Sequence, residues 1–220
     1  MTQRGKAGRK ISAANARPHI PTHVPARLIV GISGASGVIF GVRLLELLRE
    51  TMIETHLVMS RSAAVTLAYE TDYKLKDVVA LADRHYGADD MAAPISSGSY
   101  LTLGMIVAPC SVKSLAEIAS GVTSTLLSRA ADETLKERRR LVLMVRETPL
   151  HAGHLKNMLA VTEMGGVIAP PVPAMYAGPK DIQAVIDHNL ARALDLFGIH
   201  LDGVKRWGEA DGAKKRRPRS

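Results

Sequence analysis

The stretch GISGASGVIFG, Gly31–Gly41, decides the reading of the fold. An apolar run, RLIV at Arg27–Val30, leads into it, and the amphipathic VRLLELLRE leads out. A short apolar run ending at glycine, RLIVGIS (27–33), reads as a buried strand. Val38–Glu50, with apolar residues at 38, 42, 44, 45, 47 and 48, reads as a helix packed on a sheet. The glycines at 31, 34 and 37 are spaced G-x-x-G-x-x-G. That matches neither the dinucleotide fingerprint G-x-G-x-x-G nor the triphosphate loop G-x-x-x-x-G-K-[ST]. On its own residues the loop has two readings. It is an anion cradle, where glycine admits a ligand to the backbone and the helix start offers free N–H groups. Or it is a tight strand-to-helix turn.

The same logic repeats along the chain. THLVMS (55–60) reads as a strand followed by an Ala-rich helix at Arg61–Tyr69, and LKDVVALAD (75–83) as a further helical stretch. PISSGS (94–99) reads as a loop. GMIVAPCS (104–111) is a strand ending in PCSVKS, with the helix SLAEIASG after it. Asp132–Arg140 reads as a charged helix end, LVLMVRE (141–147) as another strand, and His151–Met164 as a helix. GGVIAPPVPAMY (165–176) is a short strand with a proline-rich loop, and Asp181–Phe197 is a closing helix. Strands alternating with helices predict an α/β fold with a parallel sheet. Ligands of such sheets sit beyond the carboxyl ends of the strands. Here those ends are Ser33–Gly37, Ser60, Cys110–Ser114 and Arg146–Glu147, which should converge on one crevice.

The chain has 220 residues and a hydrophobic fraction of 46%, enough for one core and one domain. Its net charge of +8 is carried by its ends. Residues 1–26 hold Arg4, Lys6, Arg9, Lys10 and Arg17 and no acid, and residues 203–220 hold seven bases against Glu209 and Asp211. Each end contributes +5, which leaves 27–202 at −2. A basic domain face for nucleic acid is therefore not expected, and the tails read as solvated ends. A lone Cys110 gives neither a disulfide framework nor a CxxC metal pair and fits a reducing compartment. No apolar run reaches the ~18–20 residues of a membrane span. The N-terminal tail lacks the apolar segment of a secretory signal; its acid-free basic composition is shared with transit peptides, but no clear amphipathic helix accompanies it.

The chemistry-bearing residues gather at the predicted strand ends. Ser111 and Ser114 offer hydroxyls, and the helix start beside them offers amides; both also suit an ordinary N-cap. Two such turns on one sheet edge favour a mononucleotide site over either alone. Arg129, Lys136, Arg146 and Arg192 supply cations suited to phosphate oxygens. Within this group Arg146 ends an apolar strand where the crevice should lie, whereas KERRR (136–140) reads as a solvated helix face. Tyr176 follows a rigid proline-rich stretch and is a lid or a turn. Trp207, in an otherwise polar tail, is expected to dock against something. His151 and His154 have metal-pair spacing on a helix, but no matching carboxylate or cysteine set accompanies them.

Together these stretches resemble the flavin prenyltransferases known as UbiX or Pad1, long described as 3-octaprenyl-4-hydroxybenzoate carboxy-lyases. The resemblance runs through GISGASGVIFGVRLLE, YETD, PISSGS, PCSVKSLAEIASG, LLSRAADETLKERRRLVLMVRETPLHAGHLKNML and APPVPAMY, and is collinear over about 27–208. It implies a Rossmann-like (flavodoxin-like) three-layer sandwich with a mostly parallel sheet, spanning 27–208 between basic tails at 1–26 and 209–220. It implies transfer of a dimethylallyl group from dimethylallyl phosphate to N5 and C6 of reduced FMN, without a metal. The product, prenylated FMN, would serve UbiD-type decarboxylases. A cytoplasmic homododecamer is expected, with no nucleic-acid or membrane partner.

Position by position, the resemblance assigns Gly34, Ala35, Ser36, Ser60, Ser111, Val112, Lys113, Ser114 and Arg146 to FMN. It assigns Tyr176 and Arg192, with Arg129 and Lys136 from across a subunit boundary, to the dimethylallyl phosphate group. Ser36, Glu70 and Glu147 fall near the reaction centre, and Trp207 closes over it. The alternative enzyme reading is an FMN-dependent decarboxylase of the same fold acting directly on a carboxylate; the cation set argues against it. A reading from another class makes the chain a nucleic-acid or interaction protein working through its tails.

Overall fold

The computed structural model describes residues 26–208. The tails expected at 1–26 and 209–220 therefore lie, Ala26 apart, outside the described residues. Six strands form one sheet: β1 (Arg27–Ile32), β2 (Glu54–Met59), β3 (Arg84–Tyr86), β4 (Gly104–Cys110), β5 (Arg140–Val145) and β6 (Val167–Ile168). Seven helices connect and cover them: α1 (Ile39–Leu48), α2 (Arg61–Glu70), α3 (Leu75–Val79), α4 (Val112–Ser120), α5 (Leu126–Lys136), α6 (Ala152–Glu163) and α7 (Ile182–Asp195). The order is β3-β2-β1-β4-β5-β6, and every pair is parallel. The chain winds outward from β1 in one direction to β3, then returns and winds in the other from β4 to β6. The switch point lies between β1 and β4, where a crevice opens beyond the carboxyl ends of the strands.

Alternation along the strands divides the core into two layers. Leu28, Val30 and Ile32 of β1, with Val142 and Met144 of β5, meet the apolar faces of α1, α2 and α7. Ile29, Met105, Leu141 and Leu143 point to the other face, against α4, α5 and α6. The three-layer sandwich is the expected one.

Two expectations need correction. The charged helix does not run to Arg140. It ends at Lys136, and Arg140 opens β5. Between them Arg138 adopts φ +57, Arg138 N–H donates to Leu135 O (3.0 Å) and Arg139 N–H to Thr134 O (2.9 Å). This is the paired 5→2 and 6→1 closure of a Schellman turn, with arginine where glycine is favoured. The left-handed backbone there costs a non-glycine residue about 1 kcal/mol. Likewise the helix expected over 75–83 stops at Val79. Asp83 instead accepts hydrogen bonds from Thr55 N (2.7 Å) and Thr55 Oγ1 (2.9 Å), fastening the edge strand β3 to β2. β3, of sequence RHY, gave no signal because it is short and largely exposed.

Candidate active site

At the switch point the turns after β1 and β4 are bolted together by Ser33. Its buried hydroxyl donates to Pro109 O (2.9 Å) and accepts from Ser111 N (2.7 Å). Past Ser33 the chain turns through Gly34, Ala35, Ser36 and Gly37. A Cβ on Gly34 would overlap the Ser62 side chain, so glycine lets this loop lie against the start of α2. Gly37 has φ +93, and a Cβ there would come within 2.8 Å of Arg146 Nε. Arg146 leaves the end of β5, donates from Nε to Ser36 O (2.6 Å) and lies 5.8 Å from the Phe40 ring centre. The strand-end arginine thus reaches the first loop, as its position predicted.

The start of α1 is not open to a ligand in the way the glycine loop suggested. Glu70, the last residue of α2, accepts from Gly37 N (2.7 Å) and Val38 N (3.2 Å). Partial burial works against the charged carboxylate. Hydrogen bonds from the Ser36 side chain and these two amides, with Arg146 nearby, outweigh it and hold the carboxyl below its ordinary range. The other two turns are capped by their own serines. Ser60 Oγ accepts from Ala63 N (3.1 Å), and Ser111 Oγ accepts from Ser114 N (3.2 Å) and donates to Ser114 Oγ (3.2 Å). Val112 opens α4 behind Ser111, and the exposed Lys113 turns along that helix to Glu117 (2.9 Å). Cys110, fully buried just before Ser111, has its thiol pushed up to about 12 by burial.

A cleft of about 300 Å³ opens here, lined by Ser36, Arg146, Glu147, Thr148, Pro170 and Pro171 among others. Glu147 accepts from the Thr148 amide through Oε1 (2.9 Å). The sequence-predicted Ser36, Arg146 and Glu147 are therefore brought together, with Glu70 joined to them through Ser36 and Gly37.

A second cluster forms where the proline-rich loop, α7 and the C-terminal segment meet. Trp207 packs edge-on against Tyr176, with ring centres 5.4 Å apart. The Tyr176 hydroxyl lies 3.4 Å from His188 Nε2, which is 3.2 Å from the Lys205 carbonyl. Lys205 Nζ in turn donates to Ala177 O (3.2 Å). Arg192 pairs with Asp195 (2.7 Å), which also takes Arg206 and His200 (2.8 Å). The Arg206 hydrogen bond is the main reason that the Asp195 carboxyl lies at about 2. His188 and Asp195 were not singled out from the sequence, although both lie one turn from Arg192 on α7.

Arg129 and Lys136 are not in the cleft of their own protomer. Both grip Glu133, a buried carboxylate on α5, with Arg129 Nη2 2.5 Å from Glu133 Oε1 and Lys136 Nζ on Oε2. Burial opposes that charge, but Lys136, Arg129 and the Gly98 amide keep Glu133 below its ordinary range. Arg129 Nε also donates to Ser96 O (3.1 Å), so this cluster fastens the PISSGS loop to α5. His151 and His154 stack at 3.6 Å, and His151 accepts from the Gly153 amide. Among the described residues no group of three His, Cys, Asp or Glu side chains is placed to hold a metal.

The model of the Flavoprotein family matches residues 19–193. Flavin prenyltransferase UbiX of Escherichia coli (strain K12) is 58% identical over 184 residues, covering 82% of this chain and 97% of that one. The chain is a member of the UbiX/Pad1 flavin prenyltransferase family. Among solved members, AnUbiX (PadA1) in complex with FMN and dimethylallyl pyrophosphate superimposes with TM-score 0.83 at 50% identity, covering 86% of this chain and all of that one. A dodecameric FMN-dependent UbiX-like decarboxylase from Escherichia coli O157:H7 superimposes with TM-score 0.81 at 50% identity, covering 83% of this chain and all of that one. The flavin prenyltransferase fold therefore extends through β1–α7. No helix among the described residues is long and apolar enough to cross a membrane.

Proposed function

We propose that this chain transfers a dimethylallyl group from dimethylallyl phosphate to N5 and C6 of reduced FMN, making prenylated FMN. The observation that carries the reading is the switch-point cleft, where Arg146 grips the Ser36 carbonyl beside the serine-capped starts of α2 and α4. The residues present fit FMN. Gly34 and Gly37 let the first turn close on Ser62 and Arg146 and so set the cleft wall, hydroxyls of Ser60, Ser111 and Ser114 stand at helix starts suited to one phosphate, and Val145, Pro170 and Pro171 give the cleft an apolar wall for a flat ring. Ala35, Val112 and Lys113 contribute through their backbone at the same turns.

When bound, the reduced flavin supplies the nucleophilic atoms. The rest is done by side chains. Departure of an allylic phosphate places negative charge on its oxygens, and in this reading Arg192 and the Tyr176 hydroxyl receive it. In the proposed homododecamer a neighbouring subunit adds Arg129 and Lys136 to that charge. Trp207, lying on Tyr176, excludes water from the cationic carbon and offers it a π face. Arg146 and Glu70 fix the Ser36 loop, which holds acceptor and donor in reach of one another. Glu147 carries the proton that the departing phosphate collects. No step is assigned to a metal. The product passes to a UbiD-type decarboxylase, and the work is placed in the cytoplasm.

The test is anaerobic incubation of the full chain with reduced FMN and dimethylallyl phosphate, followed by mass spectrometry of the released flavin. A flavin heavier by one dimethylallyl unit is expected. Recovery of unmodified FMN from protein that binds it would replace this reading with direct decarboxylation.

A further inference from the structure

The opposite edge of the sheet carries an arginine-lined cleft that the proposed chemistry does not use. Its volume is about 470 Å³, and Arg138, Arg139 and Arg140 line it with Leu103, Leu196 and Phe197. These residues stand where β4 and β5 begin and just after α7, at the end of the sheet remote from the switch-point turns. Arg139 is structural: it donates to Tyr100 O (2.8 Å) and Gly98 O (2.6 Å) and has Glu137 at 4.0 Å. Arg138 and Arg140 are exposed, and among the described residues neither guanidinium has a hydrogen bond or a carboxylate within 4.0 Å. Two unneutralised cations flank a third whose geometry is fixed. The opposite wall is apolar and partly exposed, with the Phe197 ring seated near the Gly104 and Arg140 backbones.

The backbone at Arg138 adds an independent observation. It occupies the left-handed closing position of the α5 Schellman turn, where glycine is the favoured residue. Among the described residues that side chain makes no hydrogen bond or ion pair, so the turn draws no polar contact from it. What it does is project a third guanidinium into the cleft.

We propose that this cleft is a second binding site, for a small phosphate-bearing molecule with an apolar group. Arg138 and Arg140 would bind its oxyanion, since guanidinium forks match phosphate oxygens, and Leu103, Leu196 and Phe197 would cover its apolar part. The site is separate from the flavin cleft and does not depend on the function proposed for that cleft.

The turn itself supplies a clean test, because Arg138→Gly removes the cation while installing the residue the backbone prefers. The full-length wild-type oligomer is titrated with inorganic phosphate and with n-pentyl phosphate by calorimetry, alongside Arg138→Gly and Arg140→Gln. Wild type is expected to show a class of sites that binds n-pentyl phosphate more tightly than phosphate. Each variant should weaken that class by about tenfold, the effect of removing one charge-assisted contact. Arg138→Gly should melt at or above the wild-type temperature, and native mass spectrometry should show the same oligomer. Isotherms unchanged in both variants would overturn the proposal. So would loss of the oligomer in Arg138→Gly with wild-type anion binding, because the cleft would then be a subunit contact.

Discussion

The turns after β1 and β4 lie side by side, joined through Ser33, and each opens a helix, yet they are finished in opposite ways. The start of α4 is capped by its own neutral Ser111. The start of α1 has no cap of its own; a carboxylate arrives from the far end of α2, and Arg146 balances its charge from the end of β5. A glycine-rich turn is therefore not a vacant anion site merely because glycines precede a helix. In this chain the first turn is locked by a charged triangle of Ser36, Glu70 and Arg146. The later turns are closed by neutral serine hydroxyls alone, with no charge committed to their helix starts.

That contrast can be broken at several points. The largest effect is expected from Arg146→Ala, which opens the triangle and strips a cation from the cleft; prenylated flavin formation, followed by mass spectrometry, should fall by on the order of 100-fold. Gly37→Ala forces a left-handed alanine against Arg146 and should cost about 1–2 kcal/mol in denaturant unfolding, with weaker FMN binding. Glu70→Gln should cost about 1 kcal/mol at pH 7, a figure kept small because the carboxylate is exposed.

The sign of the Glu70 pH dependence follows from its lowered folded pKa. Its contribution is full above the unfolded value of about 4.3 and is lost as pH falls through the lower folded value. The stability gap between wild type and Glu70→Gln should close in that acid window. Ser111→Ala removes a cap of similar size, about 1 kcal/mol, but its gap should not narrow with pH, because a hydroxyl does not titrate there. A parallel pH response in the two variants would erase the distinction between the turns. Cys110→Ala should have the smallest effect, leaving turnover within about twofold, since a buried thiol held up to about 12 supplies no nucleophile.

Much of this was legible in the chain. RLIVGIS and GMIVAPCS announce buried parallel strands, and Arg146 at the end of LVLMVR lands in the cleft as its position implies. The edge strand RHY was invisible, because three polar residues carry no period and owe their strand state to Asp83 and Thr55. The end of α5 was misread because a run of charges continues the helical pattern; only the backbone reveals that Arg138 has already left it. Glu70 at the α1 start, His188 behind Tyr176 and Asp195 beneath Arg192 depend on contacts between elements distant in sequence or on packing of the C-terminal segment, which no local pattern encodes. Lys136 fell on a helix as the charged stretch implied, whereas the placing of Arg129 on the same helix and the grip of both on Glu133 needed the fold to be seen.

The burial of Cys110 bears on how the protein survives its own reaction conditions. Reduced flavins meeting dioxygen release peroxide, and the first casualties of peroxide are accessible thiolates. The single sulfhydryl here adjoins Ser111 of the proposed flavin site, so in that reading it would be within range of every such leak. Sealed in the sheet and kept protonated, it has almost no thiolate to offer, and oxidative inactivation of this protein should proceed through its methionines instead.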